Sequence, residues 1–528
     1  MSLFRNPTRT ARLGALVLVP VGLMVGCTDL KETPTSLITK DTFYKNEGEV
    51  LAGVTSVYAN LRNNMEDYYA LNSISSAEGV VPVRGGDWFD NGAWLELHRQ
   101  GWTPASVTGL REISNIWNQQ YAGVARANIV LEALENVTIP NQAAIKAEVR
   151  ALRALYYMQL MDVYGGVPIA TDTKVEQREA KTRAEVFTFV ETELRAARTD
   201  LPKVWPDQQG RLTRGAADAM LASLYLNARV WSGTPTATGI TLGTAKWTEA
   251  AAFADSVINN GNYTLAGNSN TSPCGNGFKA NFCYTNQNSP ENVFVVRGKA
   301  VDGLGFNRQY NALHYNSFPG GGGWNGWSIV EQTFNKFDPA DIRRDASILS
   351  GPQFDLLNPG VAVTNRQGQP LVFSPVIADV TAANEGEGAR LYKFPLDPNK
   401  AGNASGNDFT LYRLAEMYLI KAEALNELGQ TAAAITALNL VRARGFPGNA
   451  AKLIPGGLSQ AAVRQAIFDE RVFELTGEGK RRQDQIREGT YTTGVWFAKT
   501  ATSGNRVVLP IPQAQLNTNP LLVQNPGY

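Results

Sequence analysis

The residues that most often carry catalysis are scarce in this chain. His98 and His314 are its two histidines, so a histidine triad or a histidine zinc site would have to use one of them. We interpret both as loop or packing residues. The sequence has no HExxH, GxSxG or GxxxxGK[ST] motif. The many carboxylates do not single out an acid pair, because the separation of such a pair is a spatial property. We therefore predict no catalytic residue, no metal site and no cofactor.

One formal nucleotide-binding pattern, GxGxxG, begins at Gly321. No apolar strand precedes it, so the turn between strand and helix that would hold a phosphate lacks its first half. We interpret the segment as a flexible glycine loop that displays Trp324 and Trp327. Ser328 is then expected to cap a short helix, with Glu331 completing a capping box.

The first cysteine stands at the end of an export signal. Arg5, Arg9 and Arg12 precede the apolar run Leu13–Met24, which is too short to span a bilayer, and a small residue comes before Cys27. This pattern predicts cleavage before Cys27 and attachment of a lipid to its sulfur. The alternative is an ordinary secretory signal with a chance cysteine.

Cys274 and Cys283 are the other two cysteines, nine residues apart in a loop rich in Gly and Asn. In an exported protein this spacing is compatible with a disulfide that pins the loop. Two buried thiols are the alternative.

Composition indicates a globular chain without a strong overall field. Hydrophobic residues make up 43%, charged residues 18%, and the formal net charge is +1. The densest basic run, at residues 480–482, alternates with nearby acids, so we predict a local ion-pair network and no nucleic-acid partner. No segment after Cys27 is long and apolar enough to cross a membrane.

Hydrophobic period predicts helical hairpins that stack into a scaffold. Apolar residues recur three and four apart from Ile145 to Val163, and Gly165 ends that pattern. The pair of predicted helices from Phe409 to Gly445 has the length of a tetratricopeptide unit, about 34 residues. The expected helices, paired in chain order, are 116–134 with 145–163, 184–201 with 214–230, and one beginning near Leu411 with 432–444.

Two long segments between the helices have a different character. Trp88–Pro104 and Gly261–Gly326 are rich in Gly, Asn, Ser and aromatic residues. Long segments with little regular structure are usually functional loops.

Several segments, in order along the chain, resemble the SusD/RagB family of outer-membrane nutrient-binding lipoproteins. The matching pieces are 41–49, 53–58, 117–128, 147–157, 164–168, 413–423, 439–444, 470–475, 478–484, 509–513 and 524–528. The resemblance implies a mainly α fold in which tetratricopeptide-like hairpins form a scaffold, while long irregular loops and minor β structure carry the ligand face. The charged motif residues are expected to be buried or semi-buried ion-pair partners: Arg150, Arg153, Arg413, Glu416 and Glu423.

The resemblance also implies a function. A family member would be a non-catalytic surface lipoprotein that captures a nutrient, here expected to be an oligosaccharide, for a TonB-dependent, SusC-like outer-membrane transporter. It would be anchored by its lipid in the outer membrane and face the cell exterior. A surface glycoside hydrolase and a peptide-binding or adaptor lipoprotein are the alternatives.

Sugar rings stack on aromatic faces, so the loop tryptophans are our candidate ligand contacts, with two asparagines as polar partners. The predicted ligand-binding residues are Trp88, Asn91, Trp94, Trp102, Trp324, Asn325 and Trp327. Individual tryptophans could instead fill the core or contact the transporter.

The expected organisation has five parts. They are a signal peptide at 1–26, a lipidated tether at 27–40, a SusD-like N-terminal helical region at 41–260, a loop-rich ligand-facing region at 261–408 and a SusD/RagB C-terminal region at 409–528.

Lipidation of Cys27 can be tested directly. We expect Cys27→Ala to abolish incorporation of a labelled fatty acid and to release the protein from the membrane pellet, because the variant has no thiol to acylate. Thr28→Ala, one residue along, serves as the control and should keep both properties. Label retained in Cys27→Ala would contradict the assignment.

Overall fold

The structure is a computed structural model that describes residues 43–104, 106, 111–206, 210–267, 269–275, 277–301 and 303–528, apart from the side chain of Asn64. The predicted signal peptide, Cys27 and the tether lie outside these residues. Tyr44–Tyr528 groups into one unit by its internal contacts, so the three expected regions after the tether share one body.

Helices make up most of the regular structure. They are α1 (Glu47–Ile74), α2 (Ala93–His98), α3 (Arg111–Ala133), α4 (Gln142–Tyr164), α5 (Arg183–Asp200), α6 (Arg214–Leu226), α7 (Ala228–Trp231), α8 (Trp247–Ile258), α9 (Arg308–Ala312), α10 (Glu331–Phe334), α11 (Ile342–Ser347), α12 (Leu414–Glu427), α13 (Thr431–Arg442), α14 (Gln460–Leu475), α15 (Arg481–Glu488) and α16 (Gln513–Thr518).

The strands are short and antiparallel. They are β1 (Gly79–Val80), β2 (Thr234–Thr236), β3 (Gly239–Thr241), β4 (Asn292–Val296), β5 (Ser328–Ile329), β6 (Ile348–Leu349), β7 (Gly351–Pro352), β8 (Val372–Phe373), β9 (Arg390–Leu391) and β10 (Phe409–Arg413). One sheet has the order β1-β5-β9-β6, and the other pairs are β4 with β10, β2 with β3 and β7 with β8.

The predicted hairpins are confirmed. Helix α3 packs on α4, α5 on α6, and α12 on α13. Helix α4 is the centre of the scaffold, since nearly every residue from Ala147 to Tyr164 is buried. A helix buried on all sides needs neighbours on all sides, and α3, α5 and α6 supply them. Gly165 ends α4 with φ +77°, a backbone conformation that glycine adopts without strain.

Two expected helix starts are wrong. Leu411 lies in β10, whose five residues are all buried, and the helix begins at Leu414. Ser328 lies in β5 and does not cap a helix; α10 begins after Val330 without a side-chain cap. In both places a ladder with a distant strand decides the conformation, and local periodicity does not report such pairing.

Ten charged side chains form one connected cluster beneath the loop-rich region. Arg343 bonds the Glu470 and Glu474 carboxylates at 2.5 and 2.9 Å, and Arg413 bonds Glu291 and Glu478 at 2.8 and 2.7 Å. The five cations are Arg343, Lys393, Arg413, Arg442 and Arg444, and the five anions are Glu291, Asp341, Glu470, Glu474 and Glu478. The charges therefore balance.

The cluster keeps its carboxylates ionised although they are buried. Burial alone would raise the pKa of Glu291, but the adjacent Arg444 and Arg413 guanidinium groups outweigh it and lower that pKa to about 2. Glu474 follows the same pattern, with burial opposed by Arg444, Arg413 and Arg343. Pairing of this kind offsets much of the cost of burying a charge.

The predicted ion-pair roles of the motif residues are confirmed. Arg150 and Arg153 both bond Glu193, at 2.7 and 2.6 Å. Glu416 pairs with Lys480 at 3.0 Å, within the predicted network around residues 480–482. Glu423 pairs with Arg487 at 2.5 Å. Within the described part of the chain, no helix is long and apolar enough to cross a bilayer.

Removing one acid should show how much the cluster contributes to the free energy of unfolding. Glu474 accepts from Arg343, Arg413 and Arg444, so Glu474→Gln leaves buried guanidinium groups undercompensated. We expect it to lower the free energy of unfolding by about 3–5 kcal/mol, measured by urea denaturation. Glu135→Gln removes an exposed partner of Lys146 and should cost about 1 kcal/mol or less. Equal losses in the two variants would contradict the role of the cluster.

Candidate ligand-binding site

The two loops predicted to carry the site meet in the structure. The indole Nε1–H of Trp88 donates to the backbone oxygen of Trp324 at 2.5 Å. The ring of Trp88 also lies directly on Gly326, where an added Cβ would approach Trp88 Cε2 to 2.2 Å. Trp88 and Trp324 are both half-buried. The structure therefore brings together two loops that each carry a partly exposed indole.

A row of aromatic rings runs inward from this surface. Trp88 packs edge-on against Trp94 with centroids 5.5 Å apart, and Trp94 against Trp327 at 5.8 Å. Trp327 then stacks on Tyr69 at 5.5 Å. Trp94 and Trp327 keep only 8% and 3% of their surface exposed. They support the outer ring from below and offer almost no face to a ligand.

The remaining three predicted residues also divide into exposed and buried ones. Asn91 is exposed, beside Trp88 in the same loop. Trp102 and Asn325 are each 0% exposed, and the Trp102 indole donates to the Tyr528 hydroxyl at 2.9 Å. Buried side chains such as these have no surface on which a sugar could lie, so we do not keep them as direct contacts.

Two buried arginines fix the loop around Asn325. Arg84 Nε donates to the Asn325 backbone oxygen at 2.8 Å, and Arg390 Nη2 donates to its side-chain Oδ1 at 2.7 Å. Both guanidinium groups also reach the Ser328 hydroxyl at 3.0 Å. Burial lowers the pKa of Arg84 to about 10. Asn325 therefore anchors the loop that carries Trp324, through its hydrogen bonds to two buried arginines.

Backbone strain is concentrated at these loops. Trp88, Asp90 and Asn91 have φ of +63°, +40° and +53°, and Asn325 has +53°. Non-glycine residues rarely adopt such angles, and clusters of them often mark functional sites. The strained backbone turns Trp88 back onto the glycine loop.

Polar side chains border the two indoles. The Tyr315 hydroxyl donates to the Asp87 carboxylate, and Arg366 Nη2 reaches the same carboxylate at 3.0 Å. The Arg366 guanidinium lies 4.3 Å from the centroid of the Tyr315 ring and also pairs with Glu385. Arg366 and Asp87 are half exposed, at 47% and 40% of their side chains. Arg366 could donate to ligand hydroxyl groups, and Asp87 could accept from them.

The histidines have the structural roles expected of them. His314 Nε2 lies 2.9 Å from Glu385, and its Nδ1 accepts from the Asn316 backbone N–H at 3.1 Å. This pattern fits a neutral ring protonated at Nε2, and burial lowers its pKa although Glu385 opposes the shift. His98 is buried and contacts backbone carbonyls.

Four side chains of this surface were not predicted. Asp87 and Phe89 flank Trp88, and Phe89 is 56% exposed. Their position in the sequence, next to a candidate tryptophan, could have indicated them. Tyr315 lies in the glycine-rich segment, which also pointed to it. Arg366 lies in neither loop, and only the tertiary structure brings it to Asp87 and Tyr315.

Cys274 and Cys283 form a disulfide. It closes a loop whose Phe282 is packed in the core. Beside it is an open pocket of about 400 Å³, which Cys274, Tyr284 and Tyr392 line together with several Leu and Pro residues. None of the seven predicted ligand residues lines this pocket. Among the residues that the structure describes, no group of His, Cys, Asp or Glu side chains could hold a metal ion.

A helical-hairpin scaffold with a loop-borne aromatic and polar face defines the class of this protein, and comparisons with known proteins identify the family. Residues 252–528 match the family described as the SusD family, and residues 44–226 match the one described as "Starch-binding associating with outer membrane". Since the first match covers more than half of the chain, the chain belongs to the SusD family.

Individual relatives agree with this assignment. A SusD-like protein of Formosa agariphila is 27% identical over 97% of this chain and 99% of its own length. The starch-binding protein SusD of Bacteroides thetaiotaomicron is 24% identical over 84% of this chain and 82% of its own length.

Solved structures confirm the expected fold class. A SusD-like protein from Bacteroides fragilis superposes with a TM-score of 0.73 at 19% identity, covering 92% of this chain and 98% of that one. A laminarin-binding SusD-like protein gives 0.69 at 25% identity, over 92% and 100% of the two chains. Surface glycan-binding protein A from Bacteroides thetaiotaomicron, in complex with laminarihexaose, gives 0.68 at 20% identity over 92% and 100%.

The contact between Trp88 and Gly326 can be tested by adding one methyl group. Gly326→Ala places a Cβ inside the Trp88 ring, so we expect the ring to move and the near-ultraviolet circular dichroism to change. Unfolding free energy should fall by about 1–3 kcal/mol. Gly86→Ala is the matched control, because its added Cβ meets no atom within 4 Å. A Gly326→Ala spectrum identical to that of the unmodified protein would contradict the contact.

Proposed function

We propose that this protein is a non-catalytic binding protein that captures an oligosaccharide on the surface formed by Trp88 and Trp324. The observation that carries the proposal is the 2.5 Å hydrogen bond from the Trp88 indole to the Trp324 backbone oxygen, which joins two loops that each carry a half-buried tryptophan. The apolar C–H face of a sugar ring suits an aromatic face. Because the Trp88 ring is held in place before binding by this hydrogen bond and by its packing on Gly326, little of its side-chain entropy remains to be lost.

The polar border suits the same ligand. Arg366, Asp87 and Tyr315 fix one another, and Asn91 is exposed next to Trp88. A few fixed polar groups beside apolar faces are how small-ligand sites obtain orientation and specificity. Relatives named for binding starch and laminarin make α- and β-glucan oligosaccharides the first ligands to test.

The carboxylates at this surface favour binding over hydrolysis. Burial tends to raise the pKa of Glu385, but hydrogen bonds from Arg366 and His314 outweigh it and lower that pKa to about 2. A glycosidase needs a carboxylic acid whose pKa is raised so that it can donate a proton. Asp87 accepts from Tyr315 and pairs with Arg366, and Asp90 accepts from the Trp94 indole, so these carboxylates are already bound by donors of the protein.

We further propose that the protein is anchored through a lipid on Cys27, faces the cell exterior and delivers its ligand to a TonB-dependent, SusC-like transporter. Family membership supports this part of the proposal, as does the description of the family matched by residues 44–226, which refers to association with the outer membrane. Purification of the protein from solubilised outer membranes should recover such a transporter with it. Recovery without any transporter would contradict the delivery role.

Binding can be tested by calorimetry with laminarihexaose and maltohexaose. We expect Trp88→Ala and Trp324→Ala each to weaken binding at least about tenfold, a change of about 1.4 kcal/mol, because each removes a stacking face. Trp247→Ala is the control, since it truncates a half-buried tryptophan at the start of α8, and it should bind normally.

Three outcomes would contradict the proposal. Unchanged binding in both loop variants would exclude the Trp88–Trp324 surface. Binding of a peptide library with no glycan binding would replace the ligand class. Release of reducing ends from the bound glycan, lost in Glu385→Gln, would replace capture with hydrolysis.

A further inference from the structure

A small cavity lies behind the aromatic row, where Trp327 meets Tyr69. Its volume is about 20 Å³, which is enough for one water-sized occupant. Ten residues line it: Tyr69, Arg308, Gln309, Ala312, Trp327, Leu391, Tyr392, Lys393, Phe394 and Gly477. Two of these are cations, and none is a carboxylate.

Three hydrogen-bond donors on this lining have no partner among the described residues. They are Trp327 Nε1, Gln309 Nε2 and Arg308 Nη1. Trp327 and Gln309 are each 3% exposed, so bulk water does not satisfy them. A buried donor without an acceptor costs about 1–3 kcal/mol, and three at one cavity indicate an occupant that accepts hydrogen bonds.

The charge at the cavity favours an anion. The Arg308 guanidinium lies 4.2 and 4.0 Å from the ring centroids of Tyr69 and Phe409, and no carboxylate of the described residues pairs with it. Its Nη2 donates to the Met65 backbone oxygen at 2.5 Å. Lys393 is different, because Glu478 neutralises it at 2.5 Å. Glu66 is the carboxylate whose charge acts on Arg308, but among the described residues it forms no ion pair with the guanidinium beside the donors.

We propose that this cavity binds one small monovalent anion of the halide class, chloride being the obvious member. Arg308 supplies the charge, and the Trp327 indole and the Gln309 amide supply fixed donors. The small volume suits a monatomic anion. The anion would hold Trp327 in the row of rings that supports Trp88, whichever ligand the outer surface takes.

Bromide is the probe for the site itself, because its anomalous scattering distinguishes it from water. We expect crystals soaked in sodium bromide to show an anomalous peak within hydrogen-bond distance of Trp327 Nε1 and Arg308 Nη1. A well-ordered cavity without that peak, while bromide peaks occur elsewhere on the same molecule, would overturn the proposal and leave water as the occupant.

The second measurement compares thermal unfolding in sodium chloride and sodium gluconate at equal ionic strength. Chloride should raise the unfolding temperature of the unmodified protein in a saturable way. Trp327→Phe keeps the ring and removes the donor, so most of that response should be lost; Arg308→Met should lose it as well.

Trp496→Phe is the matched control. Trp496 is 5% exposed, its Nε1 also lacks a partner, and Lys499 Nζ lies 4.1 Å from its ring centroid, but it does not line this cavity. The control should keep the full chloride response. An equal response in Trp327→Phe and Trp496→Phe would overturn the proposal, independently of any result on glycan binding.

Discussion

The buried ion-pair cluster joins the loop-rich region to the C-terminal helices, and the arrangement of both depends on it. Arg413, the last residue of β10, meets Glu474 at the end of α14 and Glu478 just after that helix, while Glu291 reaches the cluster from just before β4. Eight members are buried, and Arg442 and Arg444 are half-buried. Because the members neutralise one another, we expect the cluster to form as a unit. It also constrains the backbone: an added Cβ at Gly445 would lie 2.6 Å from Arg343 Nε.

One short segment links this cluster to the candidate site. Arg390 in β9 holds the side chain of Asn325, and three residues later Lys393 pairs with Glu478 in the cluster. The loop that carries Trp324 is therefore bonded to β9, and the segment just after β9 is held by the ion pair between Lys393 and Glu478. This arrangement explains how long irregular loops can present two indoles in a defined geometry, with strained backbone at Trp88 and Asn91.

The tryptophans of the two loops illustrate how one residue type serves two purposes. Trp88 and Trp324 keep part of their surface exposed, whereas Trp94, Trp102 and Trp327 are buried. An indole is large enough to fill core space and also to offer a face to a ligand. Their composition and spacing do not separate these roles, because exposure depends on what packs above each ring.

The sequence by itself determined the helical hairpins, the family and the ion-pair character of the charged motif residues. Periodicity is local, and α4 and its neighbours follow it closely. The composition of the sequence also indicated both loops that meet at the candidate site. Only the tertiary structure decided that Leu411 and Ser328 lie in strands, because their partners are distant in the chain. The same holds for Arg366, which reaches Asp87 across 279 residues, and for which indoles remain exposed. Strand pairing, the identity of each ion-pair partner and the exposure of each ring depend on long-range contacts, so no local pattern could have fixed them.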